Sequence, residues 1–231
     1  MKNILKILIV IILFVYPLSA QSMDTTRTIS VNGIGEITVT PDICTISAGV
    51  ISEGSEPELV MNDLSLRMNK VVKGLEFSGV KKQNIKTTSM QLFPIYDYDK
   101  SGRQYLKGYR AQSNINVRCE VKDAGKILAT IVNAGVNNIN SINFDYSKRD
   151  SLELAAIELA VMDARTKAEK ALSGTGYRVT GIKSINIQSE TPVLPYTRTT
   201  TKATMEMMTE VPIEEGEIKI RTNIFVIFSF Q

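Results

Sequence analysis

Between Leu106 and Val121 the chain alternates: Tyr109, Ala111, Ile115, Val117, Cys119 and Val121 fall on one side, and Arg110, Gln112, Asn114, Asn116, Arg118 and Glu120 on the other. A two-residue period sustained this long fits a strand that buries one face and leaves the other in water. Such a strand requires neighbours and a cover. Other segments share the period. Ile29, Val31, Ile37 and Val39 lie on one face of a first strand, and Cys44, Ile46, Ala48 and Val50 on one face of a second, about 43–52. Further strands are expected at 84–97, 139–147, 181–188 and 217–230. The last carries Ile218, Ile220, Ile224, Val226, Phe228 and Phe230 on one side, with Phe225 and Ile227 opposite, a pattern that suggests cover on both faces.

Helical spacing interrupts these runs. Leu64, Met68, Val71, Val72 and Leu75 mark a helix over 56–78, with Ser55 and Glu58 as a capping box. Asp123 is expected to cap a short helix to Ala134. Asp150 and Glu153 are expected to cap a long one, about 151–172, with Ile157, Ala160, Val161, Ala164, Ala168 and Ala171 inward. Asp99-Lys100-Ser101-Gly102 reads as a hairpin turn. Strands with helices between them argue an α+β fold with mixed or antiparallel sheets, two long helices and one short one. The order suggests duplicated β-α-β-β units at 43–121 and 139–230, without residue identity between them. Gly33 and Gly35 interrupt the first strand, which implies a bulge or a close backbone approach.

The N-terminus sets the compartment. MKNILKILIVIILFVYPLSAQS places Lys2 and Lys6 before an apolar run from Ile7 to Tyr16, then Pro17 and small residues. That is the order of a secretory signal over 1–22. The run is short of the roughly 20 residues that span a bilayer. Cleavage after Ser22 and after Ala20 both remain open, and an uncleaved anchor is the alternative. Residues 23–231 then form the mature domain, working in the periplasm or cell envelope.

The chain has no histidine, two cysteines and a formal net charge of +3, which falls to +1 without Lys2 and Lys6. Without His, Ser-His-Asp, Cys-His and His-based zinc sites are excluded. No basic footprint for nucleic acid is present. Gly33-Ile34-Gly35 lies inside a strand with no helix after it, so a phosphate loop fails on context. No catalytic, cofactor-binding or metal residue stands out.

Three features remain as candidates. Cys44 and Cys119 would meet on one apolar face if their strands are antiparallel neighbours. A disulfide closing that loop would contribute about 4.5 kcal/mol in the chain-entropy model; the alternative is two buried thiols acting as small hydrophobes. Tyr96, Tyr98, Tyr105 and Tyr109 crowd one hairpin, either as ordinary strand residues or as a subunit contact. The aperiodic stretch 191–215 carries Met205, Met207 and Met208 and reads as a flexible loop or assembly arm. Thioethers suit Cu(I), but no His or Cys lies near them in the sequence, so no cofactor is expected.

The motifs ISVNGIGEITVTPDICTISAGV, NIKTTSMQLFPIYDY, GYRAQSNINV, AGVNNINSINFDYS, DARTKAEKA and VPIEEGEIKI, in that order, resemble the SIMPL-domain family. This is a bacterial cell-envelope family of the periplasmic immunogenic and oxidative-stress defence type. The resemblance spans about Ile29 to Phe230. It implies an exported, periplasmic or loosely outer-membrane-associated protein without a catalytic centre. It also implies homo-oligomeric, channel-like assembly and a link to oxidative-stress tolerance. The cysteines are a departure from its usual members. The resulting expectation is a non-enzymatic, self-assembling envelope protein. The alternative is a binding module in which the hairpin and the 191–215 arm grip a small hydrophobe, peptide or partner protein. An enzyme with a cryptic site is the third reading, and it requires convergent carboxylates or a perturbed Lys in a pocket.

Overall fold

Alternating strands with one apolar face find their cover in two helix-backed antiparallel sheets. The computed structural model describes residues 26–189, 213 and 215–231. The signal segment 1–22, Met205, Met207, Met208 and nearly all of the 191–215 stretch lie outside the described residues. The strands are β1 (Thr28–Val39), β2 (Ile43–Gly54), β3 (Ile85–Tyr98), β4 (Gln104–Glu120), β5 (Asn138–Asp145), β6 (Val179–Ser189) and β7 (Ile218–Phe230). The helices are α1 (Pro57–Phe77), α2 (Ala124–Asn133) and α3 (Arg149–Leu172). The fold is α+β.

One sheet has the order β3-β4-β2-β5 and the other β1-β7-β6, and every pairing is antiparallel. The first sheet carries the larger core. Ile46, Ala48 and Val50 of β2 and Ala111, Ile115 and Val117 of β4 are sealed under Val60, Leu64, Val71 and Leu75 of α1. In the second, Ile224, Val226 and Phe228 of β7 lie under α3. Phe225, on the other face of β7, is 40% exposed, so β7 is covered on one side rather than two.

The chain does not place β5 beside β6 and β7. β5 pairs with β2 as the fourth strand of the first sheet, and β1 supplies the third strand of the second. Each sheet therefore contains a three-strand, one-helix layer, β3-β4-β2 with α1 and β6-β7-β1 with α3. The two chain passages between layers are tied at Asp42. Its carboxylate accepts the Ser147 N–H at 2.6 Å and the Ser147 hydroxyl at 2.5 Å, and its carbonyl accepts the Val121 N–H.

The packing of α3 explains Gly33 and Gly35. The β1–β7 register runs unbroken from Thr28 to Val39, so there is no bulge. A Cβ on Gly33 would sit 2.1 Å from the Ala160 carbonyl oxygen, and one on Gly35 1.8 Å from that of Ala156. Helix and strand backbones touch there. Ala156, Ala160, Ala164 and Ala168, spaced by four, form the fully buried ridge that permits it. The expected inward Ile157 and Val161 lie at its margin and Ala171 is exposed.

None of the three expected caps forms. Helix α1 starts at Pro57 with Glu56 as its cap residue, in extended conformation, so Ser55 falls one position too early. A 3₁₀ turn over Val121–Asp123 leads into α2 and leaves Asp123 helical, without a side-chain cap bond. Helix α3 starts at Arg149, which places Asp150 inside the first turn. Glu153 is engaged by Arg149 at 2.8 Å, and the same guanidinium reaches Asp145 at 2.9 Å.

Candidate functional site

The β3–β4 hairpin is held by its turn. Asp99 Oδ1 accepts the Ser101 N–H, the Ser101 hydroxyl and the Arg103 N–H at 2.6 to 2.9 Å, and Gly102 takes the positive φ of +80° that the turn needs. These donors hold the Asp99 carboxyl below its ordinary pKa, the Ser101 side chain most of all. Asp97 is likewise lowered, chiefly by the hydrogen bond from Lys107 at 2.9 Å. Pro94 lacks an N–H but sits on an edge strand, where the open side tolerates it.

The four tyrosines occupy this hairpin but not one surface. Tyr96 stands opposite Leu106 and Tyr98 opposite Gln104, while Tyr105 stands opposite Asp97 on the other face. Tyr96, Tyr98 and Tyr105 are exposed, whereas Tyr109 packs on the core under α1. Three of the candidates are thus available at the surface and the fourth is an anchor.

The reason for their exposure is a mismatch between sheet width and helix cover. Helix α1 packs on β2 and β4 and scarcely reaches β3. Leu92 and Met90 of β3 pair with Ala111 and Ser113 of β4, which are buried, yet both remain exposed. The second layer repeats this. Helix α3 covers β1 and β7, while Ile182, Ile185 and Ile187 of β6, paired with Phe228, Val226 and Ile224, are 51%, 42% and 48% exposed. Each layer therefore shows a bare apolar strip on an edge strand. The β6 strip is not legible in the sequence, because its alternation looks the same whether or not a helix lies above it.

The other edge of the second sheet is guarded. Asp163 of α3 accepts the Ile34 N–H of β1 at 2.8 Å, and Lys167 donates to the Asn32 carbonyl at 3.2 Å. The pair also forms an intrahelical ion pair at 2.7 Å. Such i,i+4 pairs are ordinary on a solvated helix face. In the structure they also cap the open edge of β1.

Cys44 and Cys119 are register partners across β2 and β4, with sulfurs 3.4 Å apart. They meet on the apolar face, as expected for antiparallel neighbours. Cys119 lines a cleft of about 280 Å³ between β4, α2 and the loop after α1. A second cleft of about 490 Å³ lies at the end of α3, against Leu172, Tyr177 and Arg178. Among the described residues no group of three or more His, Cys, Asp or Glu side chains could hold a metal, and no helix is long and apolar enough to cross a membrane.

The model of the SIMPL family, described as a protein of unknown function (DUF541), matches residues 29–228. The chain belongs to the SIMPL family. Among its relatives, the 26 kDa periplasmic immunogenic protein of Brucella melitensis biotype 1 is 25% identical over 211 residues, covering 88% of this SIMPL chain and 84% of the relative. An uncharacterized protein of Escherichia coli K12, YggE, is 22% identical over 202 residues, 87% and 82% of the two chains. The YggE of Edwardsiella ictaluri is 24% identical over 155 residues, 67% of this chain and 65% of that one. The matched span takes in both sheets of this SIMPL protein, the three helices of the described residues and the tyrosine hairpin.

Proposed function

We propose that this SIMPL protein is exported and acts in the cell envelope by self-association rather than catalysis, in support of oxidative or envelope stress tolerance. One observation carries the assembly reading: each layer leaves the inner face of an edge strand bare, with Met90, Leu92 and Tyr96 on β3 and Ile182, Ile185 and Ile187 on β6. Apolar strips on unpaired edges are surfaces that another chain covers. Export rests on the order of residues 1–22, and the name of the Brucella relative, a periplasmic immunogenic protein, supports a periplasmic setting. The stress role rests on family likeness. Association with the membrane surface is peripheral in this reading.

The test is the mass of residues 23–231 by light scattering after size exclusion. A discrete multimer is expected, and Tyr96→Asp or Ile185→Asp is expected to reduce it while leaving the circular dichroism spectrum intact. A wild-type chain that remains a monomer overturns the assembly reading, and makes capture of a small hydrophobe, peptide or partner by the same strips the leading alternative. Normal peroxide and envelope-stress survival of a deletion strain overturns the stress role.

A further inference from the structure

We propose that Cys44 and Cys119 form an intramolecular cross-strand disulfide by thiol–disulfide exchange, entered through Cys119. The sulfurs already lie 3.4 Å apart on directly opposed residues of a twelve-residue antiparallel pairing. Opposed residues in such a ladder have Cα atoms about 4.5–5.5 Å apart, inside the span of roughly 4.4–6.8 Å that a disulfide accepts. Side-chain rotation can therefore close the bond without moving either strand.

The two thiols differ in access. Cys44 is 1% exposed within the core of the first layer, whereas Cys119 is half-buried and lines the 280 Å³ cleft with Lys81, Arg118, Lys126, Glu120 and Asp123. Each sulfur lies within hydrogen-bonding reach of the other. With Cys119 as donor, the bond holds the Cys44 thiol below its ordinary value and, with burial, pushes that of Cys119 up. Either sulfur can donate, so the first proton lost belongs to the pair, and rotation of the shared proton frees Cys119 as the thiolate. No third cysteine competes.

The exchange balances with an external disulfide as the oxidant. The Cys119 thiolate attacks one sulfur of that disulfide, forming a mixed disulfide and releasing one thiolate. The Cys44 thiolate then attacks the Cys119 sulfur and displaces the second. Two electrons pass to the external disulfide, which leaves as two thiols carrying the two protons.

The experiment exposes the folded, fully reduced mature protein to glutathione disulfide, then quenches it with acid, unfolds it, labels it with maleimide and weighs it. The expected product is a monomer that has lost two hydrogens and takes no label. Its melting temperature should stand about 10 °C above that of the reduced form, and dithiothreitol should reverse the gain. Cys44→Ser should stop at a glutathione adduct on Cys119. Cys119→Ser should leave Cys44 unreacted while folded. Two labels on the wild-type chain, a persistent glutathione adduct on it, or a disulfide-linked dimer would each overturn the proposal. The wild-type measurement stands without either variant.

Discussion

Gly33 and Gly35 act here by having no side chain at all. Neither adopts a positive φ, so the constraint is space rather than backbone conformation. A Cβ on Gly35 would lie 1.8 Å from the Ala156 carbonyl oxygen, far inside contact distance, so Gly35→Ala must push α3 off β1. Overpacking of this kind costs about 1–3 kcal/mol, read as a fall of roughly 2–4 °C in melting temperature per kcal/mol. Asp42 illustrates the other kind of residue, small in area and rich in bonds. Its carboxyl is held below its ordinary pKa, first by the Ser147 hydroxyl. A lowered carboxylate contributes stability that is fully present above its unfolded pKa, about 3.9, and is lost as pH falls through the folded value. Glu36, Asp63, Asp97, Asp99 and Asp163 are lowered in the same sense. Thermal melts should therefore be level from roughly pH 5.5 to 8, where histidine would titrate in other chains, and fall steeply below about pH 4. Asp42→Asn should lower stability by about 1 kcal/mol at neutral pH and flatten part of the acid limb. An unchanged melt across both ranges would remove the Asp42 tie as a stabilising contact.

At the scale of elements, each strand and helix was legible, because periods of two and near 3.6 survive in the sequence wherever one face is buried. The helix starts were less so. Ser55, Asp123 and Asp150 have the right chemistry for caps, but the cap position depends on where the preceding chain turns, and a shift of a residue or two moves the side chain out of reach. The inward stripe of α3 shows a similar limit. Ile157 and Val161 are more apolar than Ala156, yet the alanines face the strand, since only small side chains fit against Gly33 and Gly35. Asp163 and Lys167 look like a surface ion pair in one dimension and guard a strand edge in three. Asp163→Ala should speed hydrogen exchange at the Ile34 amide more than at neighbouring β1 amides and cost about 1 kcal/mol. Equal exchange in both proteins would show that the Asp163 bond does not protect that edge.

For the whole molecule, the unforeseen feature is the route of β5. Local pattern supports a unit of β5, α3, β6 and β7 as well as it supports one of β2, α1, β3 and β4. In the fold β5 joins β2, and β1 closes the other sheet. That exchange places Asp42 and Ser147 together and makes the two layers one connected body. It also leaves β3 and β6 as edges wider than their helices can cover, and the proposed assembly rests on those strips. Double substitution of Ile182 and Ile185 by Asp should reduce multimer mass more than either single change, with melting of the subunit little altered, because these side chains are half in water already. By itself the sequence determined the elements, the sheet faces, the hairpin turn and the antiparallel meeting of Cys44 with Cys119 once their strands are neighbours, since burial imprints a period on the chain. Tertiary structure alone decided which strands pair, where α3 presses on β1 and which apolar faces stay bare. Those depend on the width and closeness of packed layers, and a residue's type records that it is apolar without recording what lies above it.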